Sequence, residues 1–232
     1  MALVKYGGGV TQMSGSVGGT TYARNRFGNY MRSRTKPVNP NSLAQGGVRD
    51  AMSFLTNAWS ATLTASQRSA WNTYAAAVAM KNRLGETVYL TGFNHFLRSN
   101  MQYMNINQVY KADGPTTLVL PAKDTAFTIA GSVATQLLSV AFDPALEWNH
   151  EAAGTFQVFM GQPRGQTRLF FAGPWKWAAA LYGSVGAPNT SPQTMAAPFV
   201  LVLSQLVTCY ARIRRGDGRI SEPFINSFTV GA

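Results

Sequence analysis

Three stretches of the chain differ in how hydrophobic and polar residues alternate. Residues 1–41 show no helical periodicity, because their few apolar residues are scattered among Gly, Asn, Ser and Arg. Residues 42–112 carry apolar residues at helical spacing, and residues 113–232 alternate with the two-residue period of strands. We therefore predict an α+β protein in three parts: an extended N-terminal arm or β-hairpin at 1–41, a helical hairpin region at 42–112, and an antiparallel β-sandwich at 113–232.

Two capping boxes mark helix starts in the helical region. Ser42 precedes Gln45 by three residues, and Thr64 precedes Gln67 likewise, a spacing at which two residues cap each other's backbone. Apolar stripes follow both boxes, formed by Val48, Met52, Leu55 and Trp59 and by Trp71, Tyr74, Ala75 and Val78. We predict two antiparallel helices with these stripes as their core, the second ended by Asn82 and Gly85. A brief strand at residues 86–90 and a third helix capped by Thr91 follow.

The C-terminal part has several strand patterns. The segments "TFQVFMG" (155–161) and "TRLFFAG" (167–173) flank a Pro/Gly turn, which predicts a hairpin. The segment "LVTCYARIRR" (206–215) alternates, with Val207, Cys209, Ala211 and Ile213 on its inner face. A turn at Gly216–Gly218 and a returning strand complete a pattern typical of a β-sandwich.

Charge is scarce and unevenly distributed. Charged residues make up only 12% of the chain, about half the usual ~25% for soluble domains, so much of the surface is expected to meet something other than water. Residues 1–112 hold 12 Lys and Arg against 2 Asp and Glu, whereas residues 113–232 hold 8 against 7. The basic character therefore belongs to the first half, and the asymmetry marks a boundary near Asp113.

Features of membrane and exported proteins are weak. The most apolar stretch, Phe199–Val207, is too short to span a bilayer, and Met1–Gly9 lacks the pattern of a signal peptide. The single cysteine, Cys209, excludes an internal disulfide framework. We expect synthesis in the cytoplasm and no membrane partner.

Candidate catalytic groups are few. His95 and His150 have no partner at metal-ligand spacing, and His95 is expected on a helix surface or hydrogen-bonded. Cys209 lies on the inner face of its strand, where a small buried hydrophobe is the default. Asp143, Glu147 and Glu151 are the only clustered carboxylates. We predict no enzymatic activity, no cofactor, no metal site and no small-molecule substrate.

The glycine runs and an Arg-Gly-Asp tripeptide each suggest a function, but a simpler structural explanation is favoured for both. The glycine runs in residues 7–9 and 18–19 lack the spacing of a phosphate-binding loop, so backbone freedom explains them better. Arg215-Gly216-Asp217 spells a cell-adhesion tripeptide, but Gly-Asp-Gly is also ordinary turn chemistry.

The arm carries arginine and aromatic residues in phase. Arg24, Arg26, Arg32 and Arg34 share even positions with Tyr22 and Tyr30, so a single extended strand would present one Tyr/Arg face. Alternatively, Gly28-Asn29 forms a two-residue hairpin turn that pairs Phe27 with Tyr30 and keeps arginines from facing each other, and we favour this hairpin. The predicted partner-binding residues are Tyr22, Arg24, Arg26, Phe27, Tyr30, Arg32 and Arg34. Their partner is expected to be an acidic protein surface, with nucleic acid as the rival.

The first part of the chain, over about residues 14–101, resembles a group of bacteriophage and prophage virion proteins. The positions that carry this resemblance are Gly15, Gly18, Gly19, Tyr22, Arg24, Arg26, Gly28, Tyr30, Arg32, Arg34, Pro37, Asn39, Pro40, Gln45, Arg49, Trp59, Gln67, Arg68, Trp71, Gly92, Asn94, Phe96 and Asn100. The resemblance implies a structural role in a virus particle, with other virion subunits as partners.

A second, shorter resemblance concerns the end of the chain. The segment "VTCYARIRRGDGRISEP" (207–223) looks like the end of a fibronectin type III or immunoglobulin-like domain. It implies architecture rather than activity. Together the two resemblances predict a non-enzymatic virion protein that stabilises or decorates the head or tail. The alternatives are a protein that contacts the packaged genome and one that binds or hydrolyses host-surface glycans.

Overall fold

A computed structural model describes residues 2–36, 38–82, 84–104, 109–168, 170–171 and 173–231. An N-terminal four-stranded sheet is followed by three helices with a small hairpin between the second and third, and then by two antiparallel sheets. The predicted α+β class with a C-terminal sandwich is confirmed. Pro37, part of the virion-protein pattern, lies outside the described residues.

The N-terminal sheet consists of β1 (Ala2–Leu3), β2 (Gly15–Val17), β3 (Thr20–Asn25) and β4 (Gly28–Ser33). Their order is β1-β4-β3-β2, and all neighbours are antiparallel. The predicted hairpin therefore exists, as β3 and β4.

The predicted register of this hairpin is wrong. The turn is formed by Arg26 and Phe27 rather than by Gly28-Asn29, because Asn25 pairs with Gly28. The side-chain oxygen of Asn25 accepts a hydrogen bond from the Phe27 amide at 2.9 Å, and Gly28 has φ +120°. Asn at the first and Gly at the fourth position stabilise a turn of this kind. As a result Tyr30 pairs with Ala23, not with Phe27.

The helical region contains α1 (Leu43–Asn57), which continues into a π-helical turn (Ala58–Thr62), then α2 (Ala65–Ala77) and α3 (Gly92–Met104). The capping box of Thr64 and Gln67 forms completely, with bonds of 3.0 and 3.2 Å. The box at Ser42 is only half formed, because the Gln45 side chain does not return the bond. Thr91 caps α3 as predicted, accepting from the Asn94 amide at 3.2 Å.

Asn82 and Gly85 do not end a helix, contrary to the prediction. Helix α2 ends at Ala77, and the chain then forms β5 (Ala79–Lys81), which pairs with β6 (Thr87–Tyr89). Asn82 accepts hydrogen bonds from the following turn, and Gly85 adopts φ +77° there. The same residue types that stop helices also make hairpin turns, which explains the error.

The helical core includes most of the predicted stripes. Its buried members are Leu55, Ala58, Leu63, Trp71, Tyr74, Val78 and Phe96. Trp71 contributes the largest of these side chains, and its indole N–H donates to the Ala112 carbonyl at 2.9 Å. The stripe on α1 is buried only in its C-terminal half, at Leu55, with Trp59 partly buried.

The C-terminal region has two facing sheets. One contains β7 (Thr128–Gly131), β8 (Leu137–Ala141) and β11 (Gln193–Ala196) in the order β11-β8-β7. The other contains β9 (Thr155–Gly161), β10 (Trp175–Tyr182), β12 (Leu206–Arg214) and β13 (Phe224–Thr229) in the order β10-β9-β12-β13. The inner face of β12 is buried at Val207, Cys209, Ala211 and Ile213, as its alternation predicts.

The predicted hairpin of residues 155–161 with 167–173 is wrong. Strand β9 pairs with β10, which begins at Trp175, on one side and with β12 on the other. After β9 the main chain of Arg164 instead pairs with Leu206, through bonds of 3.0 and 2.8 Å. The Arg164 side chain also donates to the Arg168 carbonyl at 2.6 Å, which holds the intervening loop. Leu169 and Ala172 of the predicted strand lie outside the described residues.

The helical region joins the sandwich at the turn between β12 and β13. Arg98 of α3 donates to the carbonyl oxygens of Ile220 and Ser221, both at 3.1 Å. A Cβ atom added to Gly218 would lie 3.6 Å from the Trp71 ring. The predicted boundaries at residues 41 and 112 stay predictions, although helices give way to strands beyond the second of them.

Candidate assembly interface

The N-terminal sheet contributes no residue to either core. Every described side chain of its four strands keeps partial or full solvent exposure, and Val17 is 71% exposed. The cause is its composition, which is dominated by Gly, Ser, Thr and Arg. A sheet without a covered apolar face gains little from burial, so it offers both faces and its edges to another molecule.

The hairpin distributes the predicted binding residues over both faces of this sheet. Tyr22 pairs with Met31 and Arg24 with Asn29, so these four residues share one face. Tyr30 pairs with Ala23 and Arg32 with Thr21, on the opposite face. The single Tyr/Arg face of an extended strand therefore does not form. As expected for the hairpin, no two arginines are directly opposed.

The tip of the hairpin faces this chain's own helical region. Phe27 lies in a cleft of about 350 Å³ beside Leu84 and Glu86, and Lys5 forms an ion pair with Glu86 at the same place. Arg26 lines a neighbouring cleft with Asn72.

Of the remaining predicted residues, Arg24 lies next to the turn, opposite Asn29, and the other four lie further along the hairpin. At the opposite end, the Arg34 amide donates to the Gly19 carbonyl at 2.8 Å. Arg24, Arg32 and Arg34 are exposed, whereas Tyr22 and Tyr30 are partly buried. Five of the seven predicted residues thus do not line the clefts at the tip: Tyr22, Arg24, Tyr30, Arg32 and Arg34.

Helix α1 carries further exposed apolar residues, of which Val48 and Met52 were predicted as core. Leu43 is 97% exposed and Val48 54% exposed, and Met52 and Phe54 are also exposed. A groove of about 690 Å³ runs beside Val48 and Met52. The sequence predicted this apolar stripe. Periodicity alone, however, does not show whether an apolar helix face is buried in the protein's own core or exposed on its surface.

The outer face of the four-stranded sandwich sheet carries aromatic rings that the sequence reasoning missed. Phe159 and Tyr210 stack with centroids 4.6 Å apart and an interplanar angle of 9°. Trp177 meets Phe159 edge-on at 5.2 Å, and Trp175 meets Tyr210 at 4.8 Å. The signal was available, because aromatic residues occupy outward strand positions that are normally polar.

The charged groups of the Arg215-Gly216-Asp217 turn bind within the chain. The Arg215 guanidinium holds Glu151 through bonds of 2.6 and 3.1 Å and also pairs with Glu147. Asp217 accepts from the Arg219 side chain at 2.6 Å. Two of the three clustered carboxylates, Glu147 and Glu151, therefore share one arginine, and both charged side chains of the tripeptide are engaged.

His95 is neither exposed nor hydrogen-bonded, contrary to expectation. Its side chain is fully buried against Tyr74, with ring centroids 5.1 Å apart, and neither ring nitrogen has a hydrogen-bond partner among the described residues. Burial, together with the nearby charge of Arg98, lowers the pKa of His95 to about 4. Burial similarly raises the pKa of Tyr74 to about 12. His95 is thus a neutral part of the helical core.

We expect acid to weaken the fold through His95. The unfolded chain takes up a proton near pH 6.5, whereas the folded state resists protonation until pH 4. The free energy of unfolding should therefore fall by about 3 kcal/mol between these values. Above pH 6.5 both states are neutral and the contribution vanishes.

Urea denaturation of wild type and His95→Phe between pH 7 and 4 measures this contribution. The aromatic replacement keeps the contact with Tyr74 and removes both nitrogens, so its stability should depend less steeply on pH than that of the wild type. Equal slopes would show that another group is responsible.

Metal and membrane features are absent from the described parts of the chain. No group of three or more His, Cys, Asp or Glu side chains is arranged to hold a metal ion among the described residues. In the same residues, no helix combines the length and apolar character needed to cross a membrane. Cys209 is buried, and burial raises its pKa to about 12.

Comparison with known proteins finds only distant similarities to solved structures. No family model matches the chain, and no curated protein matches it. Among solved structures, the third fibronectin III domain of human KIAA0343 protein is similar over 52% of this chain and 92% of its own, at 13% identity and TM-score 0.31.

Two larger proteins match over a similar share of this chain. The adhesin domain of Epf from Streptococcus pyogenes matches 48% of this chain and 32% of its own at 11% identity and TM-score 0.30. A family 76 glycoside hydrolase from a bovine Bacteroides thetaiotaomicron strain matches 47% and 20%, at 11% identity and TM-score 0.31. The chain thus spans less than a third of either protein, and nothing about its activity follows from them.

Proposed function

We propose that this chain is a non-enzymatic virion structural protein that docks on neighbouring capsid or tail subunits through its basic arm and helices. The observation that carries the proposal is the N-terminal sheet, which has defined strands but, among its described side chains, no buried one. An element of this kind gains stability chiefly from a partner. The resemblance of residues 14–101 to phage and prophage virion proteins supplies the setting.

Docking would use two surfaces with different chemistry. The arm offers arginine side chains, whose planar guanidinium groups form several hydrogen bonds to an acidic surface at once. The first turns of α1 offer exposed apolar side chains, including Leu43 and Val48, which would supply the hydrophobic part of an interface. The β-sandwich, which has its own core, would then cover the neighbouring subunits or project from them.

Purified particles from a host that produces this chain test the proposal. We expect the chain to co-purify through density gradients at a fixed ratio to the major capsid or tail protein, as measured by quantitative mass spectrometry. A ratio of hundreds of copies per particle would indicate shell decoration, and a dozen or fewer a neck or tail position. Absence from particles would overturn the proposal.

Contact with packaged nucleic acid is the second candidate, favoured by one observation. Residues 2–36 contain six basic residues and no acidic one: Lys5, Arg24, Arg26, Arg32, Arg34 and Lys36. Electrostatic binding of DNA would weaken steeply as salt rises. Titration of labelled DNA distinguishes the two candidates, because submicromolar binding with a steep salt slope supports nucleic acid. No binding at about 150 mM salt, near physiological ionic strength, supports a protein partner.

A further inference from the structure

We infer that the outer edge of β2 accepts an extended, acidic segment of a partner protein as a fifth strand of the N-terminal sheet. This inference rests on the proposed docking function and identifies the part of the arm that makes the contact. β2 is the terminal strand of the sheet, and its three residues, Gly15, Ser16 and Val17, are all exposed. Strand addition at such an edge is a general mode of protein recognition.

Apart from its short length of three residues, β2 lacks the features that normally keep sheet edges from pairing. Natural edge strands carry charges, prolines or bulges, which prevent them from pairing with other chains. Residues 6–23, which include β2 and its surroundings, contain no charged residue and no proline. The edge is therefore open to a partner strand along its length.

Among the described residues, three of the four edge strands of the sandwich differ from β2 in this respect, whereas the fourth, β7, also carries no charge and no proline. β10 carries Lys176 and a bulge in its pairing with β9. Pro192 directly precedes β11, and Pro223 directly precedes β13. The chain thus protects these edges and leaves the β2 edge unprotected, which is expected if β2 has a partner strand.

The backbone of β2 points its hydrogen-bonding groups outward at Ser16. The two-residue loop Gly18-Gly19, with φ +56° at Gly18, joins Val17 to Thr20. Residues next to such a loop exchange hydrogen bonds, and the following pair on the ladder points its amides away. The amide and carbonyl of Ser16 therefore face the open edge, while its hydroxyl contacts that of Thr21 at 2.8 Å.

Charge identifies the chemistry of the partner. The sheet and its flanks carry six cations and no acid within residues 2–36, so a second copy of this chain would bring like charges together. Arg24 lies on β3, next to β2, and Arg32 one strand further on β4. The Arg24 side chain is two strand spacings, about 10 Å, from an added strand and can meet a glutamate there, whereas Arg32 is about 14 Å away and contributes only to the positive field of the sheet. An extended acidic segment would thus pair with the open backbone groups of β2 and balance the positive charge of the sheet.

Fluorescence anisotropy with a labelled synthetic peptide tests this assignment on the full-length protein. The probe has about ten residues, enough to pair along a strand, and alternates Val or Thr with Glu. Wild type should bind it, and Ser16→Pro, which removes the outward amide, should weaken binding at least about tenfold. Gln12→Pro is the matched control, because Gln12 precedes β2 in a segment without regular structure, and it should bind like wild type.

Other outcomes overturn the assignment in distinct ways. Equal binding by wild type and Ser16→Pro would mean that charge alone holds the peptide. Equal binding of a peptide with Lys in place of Glu, or no binding at all, would refute an acidic partner strand. Self-association of the wild type that Ser16→Pro abolishes, seen by sedimentation, would identify a second copy as the occupant.

Particle assembly separates this inference from the proposed function. If Ser16→Pro enters particles as well as wild type does, the edge is not the contact and the docking function stands. If wild type itself is absent from particles, the docking function fails whatever the peptide does.

Discussion

Replacing Trp71 by alanine is expected to lower the free energy of unfolding by about 3–5 kcal/mol. Trp71 is fully buried in the helical core, and its ring lies edge-on to Tyr74 and Phe96 at 6.1 and 5.7 Å. Its indole N–H also satisfies the Ala112 carbonyl at 2.9 Å. Truncation would leave a cavity, remove these ring contacts and deprive a carbonyl of its hydrogen bond.

The position of Trp71 increases the expected loss. Its ring lies next to Gly218 in the turn between β12 and β13, so it packs against the sandwich as well as the helices. The cavity would therefore open where the two regions meet, and rearrangement of α2 alone could not close it. Partial collapse of the site is the main factor that reduces such costs elsewhere.

Urea denaturation followed by helical circular dichroism measures this effect, and Trp59→Ala is the matched control. Trp59 is only partly buried, although its ring also contacts Phe96, at 5.4 Å. The control should lose less than half as much stability. Equal losses of stability in the two variants would mean that the contact of Trp71 with the sandwich adds nothing to its contribution.

Local signals predicted the three helices and several of the strands, because their causes lie within a few residues. The Thr64 and Gln67 side chains cap each other's backbone without help from distant parts of the chain. Alternation in residues 206–214 likewise predicted which side chains of β12 face the core, since each strand position points opposite to the next.

The errors arise where distant or competing contacts decide the outcome. The hairpin turn forms two residues earlier than predicted, at Arg26-Phe27, where the Asn25 side chain accepts a hydrogen bond from the Phe27 amide. The path of the loop after β9 is set by the pairing of Arg164 with Leu206, a residue far away in sequence. His95 looked like a surface residue, because nothing near it in sequence shows that Tyr74 covers it.

The candidate interface was predicted only in part, because strand pairing, which the sequence pattern does not determine, decides which residues share a face. Arginine and tyrosine in phase identified the arm, but pairing placed Arg24 and Arg32 on opposite faces. In the observed turn, Phe27 also lies beside Leu84 of the same chain, so it does not face a partner as predicted. The unprotected edge of β2 becomes visible only when the order of strands is known.

Deleting residues 1–41 is expected to abolish incorporation into particles while leaving the rest of the chain folded. None of the described side chains in this segment is buried, so neither core loses a member. The truncated chain begins at Ser42, which keeps the cap of α1. It loses the exposed ion pair of Lys5 with Glu86 and the exposed hydrogen bonds from Arg49 to Asn39 and Asn41, which solvent already weakens.

Two measurements test this expectation together. Urea denaturation should give nearly the wild-type stability, and quantitative mass spectrometry of particles should find the truncated chain only at background. The control variant Arg24→Gln, Arg32→Gln and Arg34→Gln keeps the strands and removes charge, so it should incorporate poorly at physiological salt and better at low salt, where the remaining charges are less screened. Unfolding of the truncated chain would show that the arm is part of the fold, and normal incorporation would show that docking occurs elsewhere, with the exposed face of α1 as the next surface to alter.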